Sequence, residues 1–212
     1  MSRTLVKICG VRDAATALAA ADAGADFIGV VLVPGSPRFV DPAEAPALAV
    51  AIADAGAMPV AVVRLPLGAG VRAALDAFAV VQFHGDESPD EVTAFARGSG
   101  WECWKGVAFA PGAVESWLAS GVVTRVVVDG PDAGSGVAFD HAAFGALDAA
   151  VRGRCLLAGG LDAANVGEAI RIARAAGVDV SSGVERSRGV KDPARIAAFL
   201  EAVAAADAAG RG

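Results

Sequence analysis

Arg154-Cys-Leu-Leu-Ala-Gly-Gly-Leu-Asp-Ala-Ala-Asn-Val and, a helix's length further on, Gly177-Val-Asp-Val-Ser-Ser-Gly-Val-Glu share one grammar. In each, a short apolar run (155–158, then 178–180) stops at glycine or serine, and a helix-like pattern follows. Gly159-Gly160 and Ser182-Gly183 carry almost no side chain to hold a ligand off the backbone. Their N–H groups are therefore able to converge on an anion at the positive end of the next helix. One such turn is an ordinary loop. Two in consecutive strand–helix units near the C-terminus are the arrangement that builds a phosphate site after strands 7 and 8 of a (β/α)8 barrel.

Outward from this stretch, apolar strand-like runs alternate with helix-like runs over the whole chain. Strands are expected at 5–9, 27–33, 59–63, 79–83, 102–107, 123–129, 155–158 and 178–180. Helices are expected at 14–23 with Asp13 as N-cap, from Asp41-Pro42, and at 71–78. Further helices follow Ser88-Pro89 to Arg97 and occupy 113–120, 140–151 and 193–206. The eight strand–helix units leave nothing over, and near-continuous apolar strands buried on both faces favour a closed parallel barrel. A doubly wound open sheet is the alternative. Residues 1–206 read as a single α/β domain, a TIM barrel, and the small, polar tail 207–212 is expected to fray.

At 212 residues and 55% hydrophobic content the chain suits one domain with a sizeable core. Net charge is −6, which predicts no basic face for nucleic acid. No apolar run approaches the roughly 18 residues of a membrane span, so no membrane partner is expected. Strand pattern begins at once after the first residues, without a signal-peptide layout. Cys9, Cys103 and Cys155 show neither metal spacing nor an even count for disulfides, and a reducing cytoplasm follows. The alanine-rich helices leave oligomeric state open.

In a barrel, chemistry sits at the C-terminal ends of the strands. Those ends hold Lys7 and Cys9, Arg38, Arg64, Gln82 and His84, Lys105, Asp129, and Asp179 with the serines. Lys7 and Cys9 are two apart and share a face. If that face is the inner one, the lysine needs a carboxylate, and Asp179 on the neighbouring last strand is the nearest. Beside a lysine and a glycine turn, the Cys9 thiol is expected to have a lowered pKa. Asp129, ending a valine-rich strand before Gly130, is a loop residue or a catalytic acid. Cys103 and Cys155 read as core and His141 as solvated, while His84 is placed for ligand contact. A thiolate and a carboxylic acid facing each other across an anchored sugar suit proton transfer. No metal or nucleotide motif accompanies them, and the loop after Asp129 is no dinucleotide fingerprint.

Lys7-Ile-Cys-Gly, Ser36-Pro-Arg, Val81-Gln-Phe-His-Gly-Asp-Glu, Leu157-Ala-Gly-Gly-Leu-x-x-x-Asn-Val and Val178-Asp-Val-Ser-Ser-Gly-Val-Glu…Gly189-x-Lys-Asp together resemble the phosphoribosylanthranilate isomerases of tryptophan biosynthesis. The resemblance runs from about residue 5 to 200. It implies a cofactor-free Amadori rearrangement, with Cys9 as general base and Asp129 as general acid. It further implies Arg38 on the anthranilate carboxylate, for which a planar guanidinium is well shaped. Lys7, Gln82, His84 and Asp179 would contact substrate, and Gly159, Gly160, Ser182 and Gly183 its phosphate. The chain departs from the family pattern at Val63-Arg64-Leu65-Pro66, at Phe83, in the loop 133–141, and in the charges of Arg186 and Arg188. A relative working on another phosphorylated amino sugar, or a non-catalytic barrel, are the other classes compatible with the fold. Retention of both proton-transfer candidates speaks against the last.

Overall fold

The computed structural model describes residues 3–110, 112–130 and 140–210. Eight parallel strands close into a barrel in sequence order: β1 (Leu5–Cys9), β2 (Phe27–Val31), β3 (Met58–Val63), β4 (Val80–Phe83), β5 (Glu102–Ala108), β6 (Arg125–Asp129), β7 (Cys155–Leu157) and β8 (Gly177–Val180). Lys7 pairs with Asp179 across the seam where β8 meets β1. The helices around it are α1 (Ala14–Asp22), α2 (Ala45–Asp54), α3 (Val71–Ala74), α4 (Pro89–Ala96), α5 (Ala113–Ala119), α6 (His141–Gly145), α7 (Ala149–Arg152), α8 (Val166–Ala173) and α9 (Pro193–Ala209). Closure leaves no strand edge, which rules out the open doubly wound sheet.

Alternation along the strands divides the apolar side chains into two cores. Val6, Ile8, Val81, Phe83, Val126, Val128 and Leu157 face outward, into the main core. Val60, Val80, Trp104, Val127, Leu156 and Ala158 fill the barrel interior, with the Phe27 ring edge-on to Trp104 at 4.9 Å. Trp104 is fully buried and plugs the lower half. The interior positions above it include a polar and glycine set: Lys7, Cys9, Gly29, Gln82, Gly106, Asp129 and Asp179. A packed floor under a polar roof puts the working end at the strands' C-termini.

Local boundaries differ from the sequence reading where side chains cap early. Asp41 accepts from Ala43 N at 2.9 Å and closes a turn, so α2 starts only at Ala45. The single helix expected over 140–151 is two, because Asp148 caps a second start by accepting from Ala150 N at 2.7 Å. After β8 the chain makes a 3-10 turn at Ser182–Val184 and an unexpected antiparallel pair, β9 (Glu185–Ser187) with β10 (Val190–Lys191).

The tail does not fray at residue 207: α9 runs on to Ala209. The Asp207 carboxylate holds it by accepting from Thr4 N at 2.8 Å and Thr4 Oγ1 at 2.6 Å, tying the last helix to the first strand. Thr4 is buried, so losing the acceptor strands its amide. Asp207→Ala should destabilise the fold by about 1–3 kcal/mol in urea unfolding. A change within a few tenths of a kcal/mol would show the contact to be ornamental.

Candidate active site

Cys9 and Lys7 share the inner face of β1, as their spacing requires. Lys7 Nζ lies 2.9 Å from Asp179 Oδ1, and the lysine side chain has no exposed surface. Gly29, opposite Cys9 on β2, makes this possible. A Cβ there would stand 2.9 Å from Cys9 Sγ and 3.2 Å from Lys7 Nζ. Burial works against a charged Lys7, but Asp179 and then Cys9 outweigh it and hold its pKa above the ordinary value. The pair is therefore ionised.

The expected lowering of the Cys9 pKa is overturned. Burial pushes the thiol above its usual range, the neighbouring Lys7 ammonium pulls it back only in part, and the Asp179 carboxylate adds to the rise. A lysine brings a thiol's pKa below its ordinary value only where its pull exceeds the cost of burying the thiolate, and here burial is the larger effect. At the end of β6, Asp129 is pushed up to about 6, by burial first and by the like charge of Asp179 second. Gly159 makes its room: a Cβ there would meet Asp129 Oδ1 at 3.0 Å. One ion pair thus acts on both the thiol and the acid.

Gln82 and His84 also point into the mouth from β4. Gln82 Oε1 and His84 Nδ1 are buried and have no hydrogen-bond partner among the described residues. Gly106 clears the space for the imidazole, since its Cβ would stand 2.2 Å from His84 Nδ1. Burial, then the charges of Lys7 and Arg64, keep His84 neutral at physiological pH. Lys105 lies on the opposite parity from Trp104 and leaves the mouth. It is buried on the outer wall, pairing Glu87 at 3.1 Å and donating to Gly85 O at 2.6 Å. Cys103 and Cys155 are core, as read, whereas His141 is half-buried and not solvated.

The two glycine turns meet. A Cβ on Gly183 would fall 1.9 Å from Leu161 O, so the turn after β8 lies directly on the turn after β7. Gly159 and Gly160 take left-handed φ values of 86° and 66°. Among the described residues, the N–H groups of Gly159, Gly160, Ser182 and Gly183 make no hydrogen bond. Four such amides on touching turns are available to an anion, and the region is called the cradle below.

Arg38 reaches the same corner from the β2–α2 loop, over Gly10. Its Nε and Nη2 lie 2.6 and 3.0 Å from the two oxygens of Glu185. Lys191 Nζ shares Glu185 at 2.9 Å and also donates to Ser181 O at 2.9 Å, while Ser181 Oγ donates to Cys9 O at 3.0 Å. Glu185 and Lys191 were not singled out in the sequence. They arise from the β9–β10 hairpin, and the signal available was only a glutamate and a lysine on either side of Gly189. Despite its burial, bonds from Arg38, Lys191 and Gly189 N–H draw Glu185 down to about 2. A carboxyl group with a depressed pKa stabilises the fold above its unfolded value of 4.5 and loses that contribution as pH falls towards 2. Glu185→Gln should cost roughly 2–4 kcal/mol at pH 7. That difference from wild type should shrink when urea melts are repeated near pH 3; a pH-independent difference would exclude the charge as its source.

On the other side of the mouth, a cleft of about 1110 Å³ opens between the ends of β3, β4, β5 and β6, walled by Arg64, Leu65, His84, Phe95, Val107 and Asp129. Among the described residues no cluster of His, Cys, Asp and Glu suits a metal ion, and no helix is long and apolar enough to cross a membrane. The loop 131–139 lies outside the described residues.

A closed barrel with an acid, a thiol and an anion cradle around one mouth defines the chain as a (β/α)8-barrel isomerase by class. Comparison with known proteins gives the particular one. The chain belongs to the N-(5′-phosphoribosyl)anthranilate (PRA) isomerase family, which it matches over residues 6–202. It is 42% identical to the N-(5′-phosphoribosyl)anthranilate isomerase of Bordetella petrii across 99% of both chains. With that of Azorhizobium caulinodans it is 41% identical across 97% of this chain and 94% of the other. The crystal structure of phosphoribosyl anthranilate isomerase from Thermus thermophilus superposes with a TM-score of 0.82 at 31% identity, covering 95% of this chain and 99% of that one. A phosphoribosyl anthranilate isomerase in complex with reduced 1-(o-carboxyphenylamino)-1-deoxyribulose 5-phosphate gives 0.78 at 27% identity over the same shares.

Proposed function

We propose that this chain converts N-(5′-phosphoribosyl)anthranilate to 1-(2-carboxyphenylamino)-1-deoxyribulose 5-phosphate, with Asp129 as the acid and Cys9 as the base. The observation that carries the reading is a thiol and a protonatable carboxyl group on inward positions of one mouth, under one buried ion pair that acts on both. Asp129 gives its proton to the furanose oxygen, the C1′–O bond breaks, and the nitrogen lone pair forms a C=N⁺ bond. That iminium draws electrons from C2′–H, and Cys9 takes the proton. The resulting enolamine becomes a ketone at C2′ as C1′ regains a proton, so the change is a net isomerisation without oxidant or reductant.

The remaining groups fit the parts of the substrate. Gln82 Oε1, a buried acceptor, and the buried, unpartnered Nδ1 of neutral His84 are suited to sugar hydroxyls, which both donate and accept. Lys7 and Asp179 hold the field at the reacting carbons. The free amides of Gly159, Gly160, Ser182 and Gly183 take the phosphate. Arg38, oriented by Glu185 through Nε and Nη2, retains Nη1 for the anthranilate carboxylate. Three free thiols suit the reducing cytoplasm in which such a substrate is made.

The pKa directions set the pH law. Asp129 titrates at about 6 and the thiol above its ordinary 9.0, so between those values the pair holds a single proton. Most molecules keep it on sulfur. The competent arrangement, with Asp129 protonated and Cys9 ionised, is a fixed minority across that range. Free-enzyme kcat/KM should therefore rise with pH through about 6, then level, and fall only on the alkaline side of the thiol. Cys9→Ala and Asp129→Asn should each lower turnover by roughly two to four decades, and Asp129→Asn should also erase the acidic limb. Near-wild-type turnover in either variant removes that residue from the mechanism.

The phosphate cradle is tested at Gly160, where an added Cβ meets nothing within 4 Å. Gly183 is unsuitable, because its Cβ would strike the Leu161 backbone and unsettle the fold. Gly160→Ala should cost about 1–2 kcal/mol of stability through its left-handed backbone. It should weaken inorganic phosphate at least about tenfold, read as loss of thermal protection at fixed phosphate concentration. Equal protection of both proteins would place the phosphate elsewhere.

A further inference from the structure

Arg64 directly follows β3, on the parity of Val60, and stands exposed at the strand's C-terminal end. Its Nε donates to His84 O at 2.8 Å, which fixes the guanidinium at the head of the cleft. The stem runs over Gly85, where a Cβ would stand 3.3 Å from Arg64 Cγ. Nη1 and Nη2 make no hydrogen bond or ion pair among the described residues. The carboxylates on the same wall do not neutralise it. Glu87 is occupied by Lys105, Leu65 N and Gly85 N, and Glu91 by its capping box with Ser88. Asp129 takes a proton at about 6, and Asp86 forms no ion pair with Arg64. An arginine fork held by one nitrogen and open at two is poised for a planar anion.

The barrel order says which anion. β3 and β4 stand across the mouth from β7 and β8, where the phosphate cradle lies. A substrate anchored by phosphate on one side and reacting between Asp129 and Cys9 sends its other end towards β3, β4 and β5. There the cleft offers Leu65, Pro66, Leu67, Phe95 and Val107 for an apolar ring, and Arg64 for an acid on it. We propose that Arg64 is a specificity-determining residue that binds the aryl carboxylate of the substrate from the cleft side, which Arg38, two of whose donors are already committed to Glu185, does not line. The inference rests on the proposed function for the identity of the aryl end.

The test is binding, not turnover. Calorimetry compares reduced 1-(o-carboxyphenylamino)-1-deoxyribulose 5-phosphate with its aniline counterpart, which lacks only the carboxylate. Arg64→Ala should weaken the carboxylated compound about tenfold or more and the aniline compound by less than about twofold, whereas Arg64→Lys, charged but without the fork, should fall between. The exposed position of Arg64 predicts unchanged folding, checked by thermal melts of each variant. Unchanged affinity for the carboxylated compound, or equal loss for both, overturns the assignment. Wild type that binds neither compound overturns the proposed function and this inference with it. Wild type that binds both, combined with active Cys9 or Asp129 variants, breaks the proton-transfer mechanism while the Arg64 comparison still stands or falls on its own ratio.

Discussion

A lysine with no exposed side chain must be paid for with a carboxylate, and Lys7 meets Asp179 at the seam where the barrel closes. Removing either partner leaves an uncompensated buried charge, a loss that typically runs to 3–5 kcal/mol. That requirement fixes β8 against β1 in one register, because a one-residue slip would turn the aspartate to the outer face. The same pair lies between the acid on β6 and the thiol on β1. Asp179 raises the pKa of both, and Lys7 lowers both. Closure of the fold and tuning of the two proton-transfer groups are therefore a single electrostatic arrangement.

Space for that arrangement comes from missing side chains. Gly29, Gly106 and Gly159 face the mouth, and a Cβ on any of them would crowd Cys9, His84 or Asp129. Below them Trp104 and Phe27 pack ring edge to ring face and leave the lower barrel no room for a ligand. The interior thus changes from large and apolar to small and polar within two layers, and the step between them is the floor of the site.

Much of this was legible from local patterns. Eight apolar runs with their glycine stops gave the strands, and the spacing of Lys7 and Cys9 placed them on one face. The demand of an inward lysine for a carboxylate pointed to Asp179. What was hidden depends on distance in the chain or on competition between charges. Glu185 and Lys191 matter because a hairpin folds them under Arg38, which no periodicity announces. The Cys9 pKa went the other way because burial of the thiol outweighs the pull of Lys7, and Asp179 adds to the rise. Lys105 was misplaced for a simpler reason: once Trp104 is recognised as the plug, parity alone sends its neighbour to the outer wall.

A chain of net charge −6 that takes an anionic sugar must separate its charges. Around the mouth Asp179 pairs with Lys7, and Glu185 with Arg38 and Lys191, while Arg64 makes no ion pair among the described residues. Asp129 adds a negative charge only above about pH 6. The excess is positive where phosphate and carboxylate arrive, and free backbone amides add to it without any net charge. Both carboxylates sit inside bonded pairs, one at the barrel seam and one beneath Arg38, where they orient the cations. Lys7 and, more weakly, Lys191 favour a thiolate at Cys9, against the burial and the Asp179 charge that together hold the thiol's pKa up. In the proposed mechanism Cys9 is therefore ionised and Asp129 protonated before the reaction starts, and Cys9 becomes a thiol when it takes the C2′ proton.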